Sequence, residues 1–221
     1  MSDRAVVVLS GGQDSTTCLW WAIDRFGHAN VECLTFDYGQ RHRVELECAA
    51  RVAEHAGVPA TVIPINPFEA LGGNALTDDD VDVGAAPESG LPATFVPGRN
   101  LIFLTYAAAW AWPRKVTDIV TGVAQTDYSG YPDCRRETID SLQKTLALGM
   151  EREFRIHTPL MDLSKRETVL LARDLGALDA MALTHTCYEG KRPPCGQCQA
   201  CELRARGFAE AGIEDPLTAA Q

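Results

Sequence analysis

Along the first third of the chain, short apolar runs alternate with amphipathic stretches. Ala5-Val6-Val7-Val8-Leu9 has no polar interruption, so the pattern predicts a strand over 4–9 that is buried on both faces. A helix over 14–26, a strand over 31–36, a helix over 45–56 stopped by Gly57 and a strand over 61–65 follow. This β-α-β-α-β order predicts a doubly wound parallel sheet with helices on both faces, and ligands at the carboxyl ends of its strands.

Residues 66–97 break the rhythm, with six acidic residues and no lysine or arginine. A connection of that length reads either as a lid or as a solvated insertion. The pattern then resumes. Asn100 is placed to cap a helix running to Trp112, with Leu101, Leu104, Thr105, Ala108 and Trp112 near one face, and Pro113 ends it. A buried strand over 118–123 follows, then helices over 136–148 and 165–175, the latter stopped by Gly176. The pattern divides the chain into a nucleotide-type domain over 1–180 and a cysteine-bearing helical tail over 181–221.

The turn between the first strand and helix reads Ser10-Gly11-Gly12-Gln13-Asp14-Ser15. A glycine-rich turn opening a helix is a phosphate cradle, because free backbone N–H groups and the helix dipole attract an anion. Ser10 and Ser15 add hydroxyl donors. Asp14 either orients the loop or takes Mg²⁺ through water. The turn lacks the Walker lysine and the dinucleotide Gly-x-Gly-x-x-Gly spacing.

In the last third, Cys195, Cys198 and Cys201 form Cys-x-x-Cys-x-x-Cys, with Cys187 upstream. Four thiolates complete a closed tetrahedral shell, so zinc in a structural role is the first reading and an iron–sulfur cluster the second. Lys191, Arg192, Arg204 and Arg206 against Glu189 and Glu202 leave a local positive surplus to offset such a centre. His185 reads as a neighbour of the site rather than a ligand.

Three polar clusters fall at strand ends or helix starts: 37–42, 96–100 and 127–135. Tyr38 and Tyr131 suit stacking on a planar heterocycle, Asp133 suits its N–H edge, and Arg99, near a helix start, suits a carboxylate or a phosphate. Lys165, at a helix start, is a candidate second cation for a departing pyrophosphate. The formal net charge of −10 argues against a polyanion such as tRNA as partner. No secretory signal or membrane-length apolar run is visible, and eight cysteines without one predict a reduced, cytoplasmic chain.

The phosphate turn resembles that of the ATP-pyrophosphatases, which cleave ATP between its α and β phosphates and adenylate a substrate oxygen. Taken in order, Ser10–Thr17, Asp37–His42, Val96–Asn100, Ser129–Arg135, Thr158-Pro159-Leu160 and the four cysteines resemble the 7-cyano-7-deazaguanine synthase family over 4–206. The resemblance implies a Rossmann-like, adenine-nucleotide α-hydrolase-like fold and a homodimeric zinc enzyme. It also implies an ATP-dependent ligase acting on 7-carboxy-7-deazaguanine and ammonia. Within the ATP segment it carries over Leu9, Ser10, Gly11, Gly12, Gln13, Asp14, Ser15, Thr16, Thr17, Cys18 and Leu19. The zinc ligands carry over onto Cys187, Cys195, Cys198 and Cys201. A tRNA-thiolating or tRNA-lysylating member of the wider ATP family is the alternative enzyme, and a zinc-ribbon binding module without turnover the non-enzymatic one.

Overall fold

A computed structural model of the chain describes residues 3–40, 43–65, 91, 94–125 and 130–219. Most of the acidic stretch over 66–97, together with Arg41, His42 and Tyr128, lies outside the described residues. The described chain runs β1 Ala5–Val8, α1 Gln13–Phe26, β2 Val31–Asp37, α2 Val44–Ala56, β3 Ala60–Pro64, α3 Arg99–Ala111 and β4 Asp118–Val120. It continues with α4 Arg136–Met150, β5 Arg155–His157, α5 Lys165–Asp174, α6 Leu178–Met181, α7 Gln199–Ala211 and α8 Pro216–Ala219.

The five strands form one sheet in the order β3-β2-β1-β4-β5, and every pairing is parallel. Chain order reverses on either side of β1, so the crevice between the ends of β1 and β4 is the topological switch point. The uninterrupted apolar run of β1 has a simple cause: alternate side chains enter two different cores. Val6 packs with Leu34, Phe36, Ile119 and the buried side of α3. Ala5, Val7 and Leu9 pack on the other face, against Cys18, Leu19 and Ala22 of α1 and Val52 of α2.

Several predicted boundaries shift. Gly98, not Asn100, is the residue before α3, and Asn100 lies inside its first turn. The buried positions of α3 are Leu104, Ala107, Ala108 and Ala111, so the apolar stripe is rotated from the predicted one and leaves Thr105 and Trp112 outward. Strand β4 stops at Val120 rather than Val123, because Thr121 onward peels away to wall the crevice. The sequence does not predict strand β5, because three residues carry too short an apolar repeat, and it predicts a helical tail without helix bounds.

Gly11 and Gly122 explain how closely the elements meet at the switch point. Gly11 has φ +80°, and a Cβ there would lie 2.6 Å from Ala49 N and Glu45 O of α2. A Cβ on Gly122 would lie 3.0 Å from the backbone nitrogen of Ser15. Only glycine lets the turn after β1 wedge between α2 and the end of β4. The tail is docked onto this body: α7 packs along α5, with Phe208 joining Val169, Ala172 and Met181 in a third core.

Gly11→Ala should therefore destabilise the fold by about 2–4 kcal/mol, since it adds left-handed strain to a backbone clash. Denaturant unfolding measures this. A midpoint equal to wild type would show that the turn is not wedged.

Candidate functional site

A cavity of about 260 Å³ opens over the carboxyl ends of the strands. Ser10, Gly12, Gln13, Asp14 and Ser15 wall one end, together with Lys165, His185, Thr186 and Arg204. Tyr38, Glu45, Arg99, Phe103 and Tyr131 wall the other.

The phosphate-loop end is set by how α1 starts. Gly12 precedes the helix without any side-chain cap, so the first-turn N–H groups have no local acceptor. By contrast, α5 begins with a complete capping box: Ser164 Oγ accepts from Glu167 N–H, and Glu167 reaches back to the Ser164 N–H. The loop's hydroxyls are ordered rather than free. Ser10 N–H donates to Ser15 Oγ at 3.2 Å, the two hydroxyls lie 3.0 Å apart, and Ser15 Oγ donates to Gly12 O at 3.1 Å. Lys165 Nζ donates to Asp14 Oδ2 at 2.7 Å across 151 residues of sequence.

Gln13 Nε2, Asp14 Oδ1 and Thr16 Oγ1 are the buried side-chain polar atoms without a partner among the described residues. All three fall in the opening turns of one helix. Leaving such atoms unsatisfied costs about 1–3 kcal/mol each, so the concentration marks a place that expects further polar company. Of the eleven residues of the ATP segment, Leu9, Ser10, Gly12, Gln13, Asp14 and Ser15 line the cavity. The other five build the support behind it. Gly11 wedges against α2, Thr17 Oγ1 donates to Gln13 O, the Cys18 thiol points to Thr121 O, and Thr16 and Leu19 are buried within α1.

The opposite end is aromatic. Phe36 and Phe103 stack at 4.6 Å, and Tyr38 lies 5.3 Å from Phe103. The loop after β2 is braced by Gln40, whose Oε1 accepts from Tyr38 N–H while its Nε2 donates to Phe36 O. Arg99 Nη1 donates to the Tyr38 hydroxyl at 3.4 Å, with its guanidinium 5.8 Å from that ring. Burial pushes the Tyr38 hydroxyl up to about 12, so it stays a neutral phenol. Tyr131 is held by a 2.5 Å hydrogen bond between its hydroxyl and Thr94.

Asp133 takes a different place from Tyr131. Its Oδ2 accepts from Asn100 N–H at 3.0 Å, so its charge sits on the N-terminus of α3 and closes that helix's open end. It sits behind Asn100, which itself lines the cavity.

Two wall residues were not singled out from the sequence. Glu45 enters the sequence only as the first residue of the predicted helix over 45–56, yet burial raises its carboxyl to about 7 against the opposing pull of Arg99. Arg204 reads as a charge near the cysteines. It is in fact buried and pairs doubly with Asp215 at 2.7 and 2.8 Å, while bonding Thr184, Thr186 and Met181 O. Only its proximity to the cysteine motif pointed toward it.

The ligand atoms of Cys187, Cys195, Cys198 and Cys201 all lie within 4.8 Å of one another, with Cys195 and Cys201 Sγ 3.9 Å apart. Backbone N–H groups of Cys195, Gln197 and Cys198 point at these sulfurs, and all four cysteines are free thiols. Such spacing fits one tetrahedral ion and supplies the N–H donors that stabilise bound thiolate. His185 is not in the group. Its N–H donates to Gly11 O at 2.9 Å and its ring meets Cys187 O, so it straps the cysteine segment to the phosphate turn.

Solved structures with this fold include a "predicted subunit of tRNA methyltransferase" from Methanocaldococcus jannaschii, with TM-score 0.51 and 19% identity, covering 77% of this chain and 74% of that one. The U34-tRNA thiolase NcsA from Methanococcus maripaludis, solved with its [4Fe-4S] cluster, matches with TM-score 0.51 and 18% identity, covering 92% and 64%. At such identities the likeness concerns the fold alone. Sequence relatives are far nearer. Proteins named 7-cyano-7-deazaguanine synthase are 65% identical in Laribacter hongkongensis and 62% in Chromobacterium violaceum, each over 97% of this chain and 94% and 93% of the relative. Another of that name, in Lysinibacillus sphaericus, is 50% identical over 94% of this chain and 95% of its own length. No helix among the described residues is long and apolar enough to cross a membrane. The model of the queuosine biosynthesis protein QueC family matches residues 4–212, and the chain belongs to that family.

Proposed function

We propose that the chain converts 7-carboxy-7-deazaguanine and ammonia to 7-cyano-7-deazaguanine at the cost of ATP, releasing AMP and pyrophosphate. The observation that carries this reading is the uncapped start of α1, with its unpartnered polar atoms, at the mouth of the switch-point cavity. A polyphosphate supplies the acceptors that the Gln13 amide and the first-turn N–H groups lack.

A carboxylate is a poor electrophile because oxide is a poor leaving group. Transfer of AMP to the substrate carboxylate makes an acyl adenylate, and ammonia attacks that carbon, expelling AMP and leaving an amide. Loss of the amide oxygen needs a second activation by ATP before the nitrile forms. The protein's share is positioning and charge stabilisation. Backbone N–H groups of the Ser10–Ser15 turn hold the β and γ phosphates. Ser10 and Ser15, already aligned on one another, donate hydroxyls. Lys165 lies 2.7 Å from Asp14 and meets the negative charge of the departing pyrophosphate. Asp14 orients that lysine and, through its unpartnered Oδ1, offers an acceptor to hydrated Mg²⁺. Tyr38 and Tyr131 flank the heterocycle, Arg99 meets its oxygen atoms, and Asp133 fixes the start of α3 from which Arg99 projects.

Zinc is the ion we assign to Cys187, Cys195, Cys198 and Cys201. Bound there, it cross-links a segment that feeds Thr186, Tyr188 and Arg204 into the cavity wall. The same reading makes the enzyme a cytoplasmic homodimer, as the resemblance implies.

Mass spectrometry of a mixture of protein, ATP, ammonia and 7-carboxy-7-deazaguanine should find the nitrile together with AMP. Absence of both would remove the assignment. Asp14→Ala and Ser15→Ala should each lower AMP formation by roughly a hundredfold or more while leaving unfolding midpoint and metal content unchanged. Full turnover in either would move the phosphates elsewhere. Elemental analysis should give about one zinc per chain. Chelation should lower the unfolding midpoint and AMP formation together; iron with visible absorbance would instead mark a cluster.

A further inference from the structure

Glu45 has no duty in the mechanism above, and its position is unusual for a carboxylate. It stands in the first turn of α2, where its backbone is pressed against Gly11, and its side chain lines the aromatic end of the cavity. No side chain among the described residues hydrogen-bonds its carboxyl group. The charged and titratable groups facing it are Tyr38 from the loop after β2 and Arg99 from α3, with Tyr131 and Asp133 grouped around Arg99. An anionic phosphate gains nothing from this carboxylate. A ligand presenting N–H donors does.

Resting on the function proposed above, we propose that Glu45 is the specificity residue for the deazapurine. Its carboxylate accepts the ring N1–H and the 2-amino N–H, while Arg99 beside it donates to the O6 carbonyl. The match is one of pattern. A guanine-type edge offers one acceptor followed by two adjacent donors, and a carboxylate's two oxygens accept both donors at once. The 7-carboxylate lies on the O6 side of the bicycle, so the same docking directs the reacting group past Arg99 toward the phosphate turn. An adenine ring carries an acceptor at N1 and a single amino group at C6, so it cannot satisfy Glu45 twice. The residue thereby distinguishes the two purine-like substrates.

Burial holds the carboxyl at about 7, whereas accepting two N–H donors requires the ionised form. Binding therefore releases a proton when the pH is below about 7. Affinity for the deazapurine acid should fall as pH drops through that value, up to about tenfold per unit.

The test is a competition, at saturating ATP and ammonia, between 7-carboxy-7-deazaguanine and the analogue lacking the 2-amino group, with products followed by mass spectrometry. Wild type should prefer the 2-amino acid by roughly 10- to 100-fold in kcat/KM. Glu45→Gln should raise KM for that acid by a similar factor, leave KM for ATP unchanged, lose the acid-side fall in affinity and shrink the preference to within about threefold. Glu45→Asp, which keeps the carboxylate, should retain part of the preference and guards against a folding defect in the amide variant. If Glu45→Gln keeps the wild-type preference, or raises KM for ammonia instead, the assignment to the 2-amino edge is overturned. If wild type makes no nitrile at all, the proposed function fails first, a result distinguishable from either.

Discussion

Among the described residues, the buried side-chain polar atoms left without a partner (the Gln13 amide, Asp14 Oδ1 and Thr16 Oγ1) all fall in the opening turns of α1. Two other helix starts are met by side chains: α5 by its Ser164–Glu167 box, α3 by Asp133 borrowed from a distant turn. The polar atoms at the start of α1 are left for a ligand or for water. This incompleteness dictates the surrounding architecture. Gly11 takes a φ of +80°, and its carbonyl accepts from the His185 N–H. Glu45 and Ala49 must come close enough to forbid a side chain there, and Gly122 must be bare to let β4 abut Ser15. A substitution that relieves this crowding also misaims the donors.

The cysteine tail belongs to the same constraint. His185 N–H caps Gly11 O, which fixes the turn from outside, and Arg204 gathers Thr184, Thr186, Met181 O and Asp215 about one buried guanidinium. A buried arginine is costly unless its donors are met, and here five hydrogen bonds meet them. The ordering of that segment presents Thr186 and Tyr188 to the cavity and packs α7 on α5. Gly207 lets α7 approach until a Cβ would lie 3.0 Å from that of Lys165. A metal held by the four cysteines would thus, on the proposed function, act on Lys165 through packing alone.

Local pattern carried most of the sheet, because β1, α1, β2 and α2 each have a long periodic signal and a clear turn residue. It carried the cysteines for the same reason: ligand spacing is local. What it could not carry was partnership across sequence. Asp133 lies two residues from Tyr131 and so reads as a fellow substrate contact, but its partner is Asn100, on another element. Glu45 looks solvated, since α2 also carries Glu47 and Glu54 on its polar side. Nothing local announces that Gly11 draws that turn of α2 into the cavity wall. Arg204 reads as counter-charge for thiolates because its true acceptors, Thr184 and Asp215, lie on either side of the motif. Strand β5 is three residues long, too short for any period to show.

On the proposed function, two walls of the cavity stand in electrostatic opposition: Lys165 and the start of α1 receive negative charge, while Glu45 disfavours phosphate beside α2. Arg99 mediates between them. It lies close enough to Glu45 to lower the cost of ionising it, and it bonds Tyr38, whose hydroxyl burial keeps neutral. A purely basic cavity would bind triphosphate in either direction and leave the acid substrate in competition with it. On the proposed function, a carboxylate in the α2 wall favours one orientation, with phosphates toward α1 and N–H donors toward α2, and this brings the oxygen to be adenylated to the α phosphate. Net acidity of the chain and selective binding of a polyanion are compatible for this reason: the attraction is confined to one helix terminus and one lysine rather than spread over a surface.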